Sequence, residues 1–300
     1  MKDFLNKVFY RDKSLNIQST KDEIVFWESA NYNQNKLNKE IPKIIWSFWF
    51  EIDYPKSIEI CIKSWKFHHP NYQIKLLNKT NILEYLPDFN FSEFENLNHA
   101  NLSDIIRLKL LYHYGGIWLD SSVFLNDKLD DYFLKFYKNN LDLLCFEGLN
   151  HNNKLLPITE SWFLVTYKNN QLIKAWLDLL TTCFIDIDYQ NFFKKKYNKE
   201  YLMIEEKNRD YLYIYMSSLV ILKDIENMKI GLLNSRLNGL FYNYKFNYNY
   251  EKIGKYFLLN NTYFTFPNII KLTSKNRNAI DNLLIRNLVR KNSMFGKYLA

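Results

Sequence analysis

The chain has 300 residues, of which 47% are hydrophobic and 18% aromatic, enough to form a sizeable core and too apolar for a disordered protein. Only 7 Gly and 6 Pro occur, which argues against a loop-rich sandwich or a low-complexity linker. The formal net charge of +8 favours anionic partners, be they nucleotides, acidic lipid head groups or nucleic acid, without choosing among them.

Residues 1–40 are polar and read as a partly helical N-terminal extension, docked through Ile24, Val25, Phe26 and Trp27. "IPKIIWSFWF" (41–50) is the first strong strand, β-branched and aromatic, with Pro42 at a tolerated first position. Over 55–70, Ile58, Cys61, Ile62 and Trp65 recur at helical spacing until Pro70 stops the pattern. "YQIKLLN" (72–78) alternates as a second strand, and "NILEYLP" (81–87) suggests a short helix. A buried helix follows over 101–114, then Gly115 and Gly116, then a buried strand. "LDLLCFEG" (141–148) reads as a strand, 161–184 as a strand leading into a long amphipathic helix, and 211–225 as a buried helix. Residues 230–235 and 263–273 look like late strands. This alternation predicts an α/β fold with a mostly parallel sheet.

The final segment, 276–300, reads as a basic amphipathic helix. Ile280, Leu283, Leu284 and Leu288 share one face, while Arg277, Arg286, Arg290 and Lys291 lie elsewhere. Such a helix can rest peripherally on an anionic membrane or pack on its own domain. No stretch reaches the roughly 18 apolar residues of a membrane span. The N-terminus also lacks the apolar core of a secretion signal. Cys61, Cys145 and Cys183 form no CxxC pair and fit a reducing compartment as buried thiols. A cytoplasmic location is therefore expected, with the inner membrane face as an option.

The chemistry concentrates in "SDIIRLKLLYHYGGIWLDSS" (103–122). Asp104, Arg107 and Leu111 fall on one helical face, and buried charges are costly unless paired or holding a ligand. Mutual neutralisation and a ligand-facing role are both open for this pair. Gly115 and Gly116 suit a helix end and close backbone approach. The strand then runs to Asp120, and ligands of open α/β sheets gather at the carboxyl ends of strands. An aspartate there can equally begin a turn. One carboxylate suffices for a Mg²⁺-type ion when diphosphate oxygens and waters complete the shell. The histidines show no metal-ligand spacing, and no P-loop, hydrolase elbow or zincin motif occurs.

The same stretch resembles the donor-site signature of family 32-type glycosyltransferases, specifically the capsular polysaccharide synthesis proteins, and looks like that of the clostridial toxin glucosyltransferase domains. The likeness extends to "IPKIIWSFWF", "CIKSWKFHHPNYQIKLLN", "SWFLVTYKNNQLIKAW" and "IIKLTSK", covering roughly residues 41–275. It implies a GT-A domain, Rossmann-like with a mostly parallel sheet, flanked by helical additions. It further implies retaining transfer of a hexose, Glc or Gal, from a UDP-sugar to a saccharide or lipid-linked saccharide, with Mn²⁺ or Mg²⁺ as cofactor and no nucleic-acid partner.

Carried over residue by residue, the resemblance has Trp46 stacking on the uracil and Asp104 and Arg107 contacting the donor sugar and ribose. Asp120 would bind the ribose or the metal-diphosphate. Gly115, Gly116, Ser122 and Lys271 complete the donor set; Lys271 is the candidate late-chain cation over the leaving diphosphate, or else a solvated surface lysine. Asp104, Arg107 and Asp120 are the catalytic group, and Asp120 with a weak Ser122 the metal ligands. Ser122 departs from the pattern, because it stands where the motif has its second carboxylate. Trp162, Phe163 and Asp210 are acceptor candidates. Glu147, Glu160 and Asp210 are candidate nucleophiles, with Asp210 also a candidate helix N-cap. The rival readings are a nucleotide-sugar-binding homologue without turnover, a glucosyltransferase acting on protein and, on charge alone, a nucleic-acid-binding protein.

Overall fold

A computed structural model describes residues 24–33, 39–148, 156–261 and 266–299. In chain order the first elements are β1 (Ile24–Glu28), β2 (Ile44–Phe48), α1 (Lys56–His68), β3 (Gln73–Leu77), α2 (His99–Tyr114), β4 (Gly116–Leu119) and β5 (Val123–Leu125). Then come α3 (Asp130–Lys138), β6 (Leu143–Glu147), β7 (Thr159–Thr166), α4 (Gln171–Phe184), α5 (Phe192–Lys196) and α6 (Asn198–Met203). The chain continues through α7 (Tyr213–Asp224), β8 (Lys229–Asn234), α8 (Phe241–Lys245), α9 (Tyr250–Leu259), β9 (Ile269–Lys271) and α10 (Ser274–Ile285).

Among the described residues, seven strands join in one sheet, ordered β1-β8-β6-β7-β4-β2-β3, while β5 and β9 form a separate antiparallel pair. The pairings set β2, β3, β4, β6 and β8 in one direction and turn only β1 and β7 against them. The sheet is therefore mostly parallel, as its strand–helix alternation predicts.

Helices cover both faces, and the period-two alternation of the strands feeds two separate cores. Ile45 and Ile117 point to one core, together with Ile58 and Trp65 of α1 and Phe257 of α9. Trp46 and Trp118, their neighbours in sequence, point to the other, with Ile105 and Leu108 of α2 and Trp176 of α4.

Helix α2 owes its position to its two ends. Asn98 caps its start, accepting from the N–H groups of Ala100 and Asn101. Gly115 ends it at φ 67, and Gly116 follows at φ 99. A Cβ on Gly115 would lie 2.5 Å from the Lys168 nitrogen, and one on Gly116 would lie 2.8 Å from the Ile44 carbonyl oxygen. Only glycine admits this close approach, and it folds the first turns of α2 back beside the carboxyl end of β4. Ile105, Ile106, Leu108, Leu110 and Leu111 are fully buried along the helix. At about 1.5–3 kcal/mol each, they outweigh the cost of carrying charges on the same helix.

Two expectations about the ends of the chain are corrected. Within the expected helical extension 1–40, residues 24–28 are instead an edge strand, antiparallel to β8; residues 1–23 and 34–38 lie outside the described residues. Ile-Val-Phe-Trp is a β-branched and aromatic run suited to a pleated surface, and it docks by sheet pairing. At the other end, 276–300 is not one helix. Helix α10 stops at Ile285, and Met294, Phe295 and Tyr298 return to the core. Ile280 and Leu283, from the apolar face left open between a membrane and the chain's own domain, are buried in the chain's own core. Asp281 accepts from the Ser57 N–H (2.9 Å) and hydroxyl (2.8 Å), tying α10 to α1. Among the described residues, no helix is long and apolar enough to cross a membrane.

Candidate donor site

Asp120 follows the last residue of β4. Its N–H donates to the Trp162 carbonyl (2.9 Å) and its carbonyl accepts from Val123 N–H (2.8 Å), so it does begin a turn. Its carboxylate does more. Oδ1 accepts from Arg107 Nη2 at 2.8 Å and Trp118 Nε1 at 2.9 Å, and Oδ2 accepts from Lys271 Nζ at 2.5 Å. Lys271 Nζ also donates to Ser122 Oγ at 2.9 Å. Arg107 Nη1 in turn donates to Asp104 Oδ1 at 2.5 Å. The helix pair Asp104–Arg107 is thus neutralised internally and also reaches outward to the strand end.

Three parts of the chain make this arrangement. Helix α2 supplies Asp104 and Arg107, with the guanidinium carbon 4.9 Å from the centre of the Trp118 ring. Strand β4 supplies Asp120. Strand β9 pairs with β5 so that Lys271 stands opposite Val123, which carries its ammonium to Asp120 across 151 positions of sequence.

Burial and charge then set the ionisation states. Burial pushes the Asp104 carboxyl up to about 7, against the pull of Arg107. Burial also works to raise Asp120, but Lys271 and Arg107 outweigh it and hold Asp120 well below the usual carboxylate range. Lys271 is lowered by burial, with Asp120 opposing. At neutral pH Asp120 is therefore an anion clasped by two cations.

Glu160 is the candidate nucleophile that the fold brings into this electrostatic neighbourhood. The antiparallel start of β7 lies beside the end of β6, with Phe146 opposite Glu160 and Glu147 opposite Thr159. Burial raises the Glu160 carboxyl, a hydrogen bond from the Tyr215 hydroxyl of α7 opposes that, and both Lys271 and Asp120 act on it. Tyr211 is 54% exposed in residue area, and the charges of Asp104 and Asp120 act on its hydroxyl. Tyr211 and Tyr215 were missed in the sequence. They sit in an apolar run, "YLYIYM", where tyrosines one turn apart look like ordinary core.

Several expected site residues belong elsewhere. Trp46 is 1% exposed, its indole N–H donates to the Gly115 carbonyl at 2.9 Å, and its ring packs against Tyr85 and Tyr114. It has no open face for a base. Gly115 and Gly116 lie at the amino end of β4, with Gly116 about 13 Å along the strand from Asp120, and serve backbone approach rather than a donor. Phe163 is fully buried, and Trp162 is stacked on Phe146 at 4.3 Å, so neither lines an open acceptor cleft. Asp210 is exposed in the turn before α7 and is not its N-cap, which is Leu212.

The metal expectation fits poorly. Both Asp120 oxygens and the Ser122 hydroxyl already accept from cationic or indole N–H groups. Among the described residues, no group of three His, Cys, Asp or Glu side chains could hold an ion.

A mostly parallel sheet with one reversed strand in its middle and a charged cluster outside its carboxyl edge is a Rossmann-like α/β domain, the arrangement that the GT-A expectation requires. More specifically, the chain belongs to the capsular polysaccharide synthesis protein family, whose model matches residues 7–263. It is 25% identical over 178 residues to the O-glycosyltransferase braB of Annulohypoxylon truncatum, covering 53% of this chain and 41% of that protein. The match thus spans about two fifths of the length of that curated relative.

Among solved structures, it overlaps the PaToxG glycosyltransferase at 16% identity and TM-score 0.37, covering 62% of this chain and 80% of that one. The galactosyltransferase LgtC, solved with donor and acceptor sugar analogues, gives 16% identity, TM-score 0.39 and coverages of 68% and 77%. The UDP-bound glycosyltransferase domain of the YGT toxin gives 8% identity, TM-score 0.39 and coverages of 61% and 76%. These overlaps are partial, and the fold class stands on the chain's own sheet topology.

Proposed function

We propose that the protein is a retaining glycosyltransferase that moves a hexose, Glc or Gal, from a UDP-sugar to a saccharide acceptor in the assembly of a capsular polysaccharide. Family membership supplies the class of reaction. The observation that carries the site is the convergence of Arg107 and Lys271 on Asp120 at the carboxyl end of β4. Breaking the bond between a sugar and a nucleoside diphosphate leaves negative charge on the departing phosphate, and preorganised cations stabilise charge where it develops. Asp120 holds both cations in place. In this reading Asp104 and Arg107 face the donor sugar and ribose. Glu160, kept in position by Tyr215, presents negative charge to the oxocarbenium-like sugar. Tyr211 offers an exposed flat ring whose hydroxyl feels the charges of Asp104 and Asp120, suited to a base or an acceptor sugar. The three cysteines are buried free thiols, which supports a cytoplasmic setting.

The test is release of nucleotide from a panel of UDP-, GDP- and CMP-sugars, with Asp120→Ala as the control. Release of UDP from one donor, lost in the variant, names the sugar. NMR of the product then gives the anomeric outcome. UDP binding without release under any acceptor would favour a binding homologue without turnover, the reading that Ser122 motivates. The absence of both release and binding would remove the donor site altogether.

A further inference from the structure

The two side chains expected to hold a divalent ion are already bridged by a cation of the chain. Lys271 Nζ lies 2.5 Å from Asp120 Oδ2 and 2.9 Å from Ser122 Oγ, spanning both ends of the Asp-x-Ser segment. The second Asp120 oxygen accepts from Arg107 and Trp118. An incoming ion would have to displace an ammonium from the one carboxylate available, then sit beside that ammonium and a guanidinium. A hydroxyl offers little in return, because Mg²⁺-type ions depend on charged oxygens for their affinity.

Lys271 is also fixed by more than its side chain. Its N–H donates to the Gly239 carbonyl at 2.7 Å, and the next N–H, of Leu272, donates to the Ser122 carbonyl at 2.9 Å. Its side chain is only 16% exposed. Strand pairing therefore sets where the ammonium stands. Behind it, Arg107 Nε is buried and has no hydrogen-bond partner among the described residues, leaving one open donor in the same cluster.

We infer that Lys271 takes the part of the divalent cation in this chain: tethered by Asp120 and Ser122, its ammonium neutralises the donor diphosphate, and nucleotide binding needs no metal. Ser122 is then no weakened metal ligand. It is a neutral acceptor that orients a monovalent ammonium. The inference rests on the nucleotide-sugar reading above.

The experiment is a calorimetric titration of the full chain with UDP, in EDTA and in excess Mn²⁺, alongside electron paramagnetic resonance of Mn²⁺ added to the protein alone. In the wild type we expect the two UDP dissociation constants to agree within about twofold, with Mn²⁺ alone staying in its aqueous spectrum. Lys271→Met, which keeps the buried stem, should weaken UDP binding in EDTA by about tenfold or more. UDP bound at least about tenfold more tightly in Mn²⁺ than in EDTA by the wild type would overturn the inference, whether or not the variant folds. If UDP, GDP and CDP all fail to bind in both conditions, the donor reading fails first and takes this inference with it.

Discussion

The two ends of β4 are built on different principles, though four residues separate them. At the amino end, Gly115 and Gly116 bring backbones together and the Trp46 indole closes on the Gly115 carbonyl. At that end close backbone geometry is what must be satisfied. At the carboxyl end, Trp118 also donates its indole N–H, but to the Asp120 carboxylate, which Arg107 and Lys271 also clasp. There the local geometry is ordinary and the charges are unusual. One stretch of sequence thus contains a structural device and a chemical one, and they should fail differently when changed.

The largest effect should come from the chemical end. Asp120→Asn keeps the shape but removes the anion that holds both cations, and we expect UDP release per folded molecule to fall about a hundred- to a thousandfold. Asp120→Ala should lose more and also melt lower, since it leaves Arg107 and Lys271 buried without that partner. Near-normal turnover in either variant would take Asp120 out of the mechanism. Gly115→Ala should invert this pattern. With φ at 67 and a Cβ 2.5 Å from the Lys168 nitrogen, we expect a loss of about 3 kcal/mol or more in urea unfolding. Turnover per folded molecule should be retained. A stable variant with lost turnover would move the glycine into the donor site after all.

Trp46→Phe sharpens the contrast on a smaller scale. It strands the Gly115 carbonyl, at a cost of about 1–3 kcal/mol, and should leave the dissociation constant for UDP unchanged. Unchanged stability with markedly weaker UDP binding would restore Trp46 as the residue stacked on the base.

Legibility in the sequence follows the same division. The Asp104–Arg107 face, the Gly-Gly break and the strand-end Asp120 were readable because helical spacing and strand ends are local features. Lys271 could be offered only as a candidate cation for the diphosphate or a solvated surface lysine, since nothing local announces a pairing of β5 with β9. The place that the resemblance gave Trp46 had no local check, because a period of two says that neighbours face opposite ways, not which face meets a ligand when both faces are covered. The 276–300 segment fails similarly: an apolar helical face looks the same whether it meets lipid or, as for Ile280 and Leu283, the core of its own domain. Tyr211 and Tyr215 were hidden because a hydroxyl at the edge of an apolar run gains meaning only when the fold brings Glu160 or Asp104 beside it.

The smallest expected effect distinguishes two descriptions of the Asp104–Arg107 pair, and it is read in pH rather than in rate. Burial pushes the Asp104 carboxyl up to about 7, above the roughly 3.9 of an unfolded chain. Between those values the folded protein holds a proton that the unfolded chain has released, so this group's stabilisation is full at low pH and is lost as pH rises through about 7. Glu160, raised by burial, acts in the same direction. His69, lowered by burial to about 4, acts oppositely below neutrality, so the wild-type melting curve alone is a mixture. Subtracting Asp104→Asn isolates the group. The melting temperature of the wild type minus that of the variant should shrink by a few degrees between pH 5 and 8, then level off. A difference that instead grows with pH would mean that Arg107 keeps Asp104 ionised throughout. The buried pair would then be a plain ion pair.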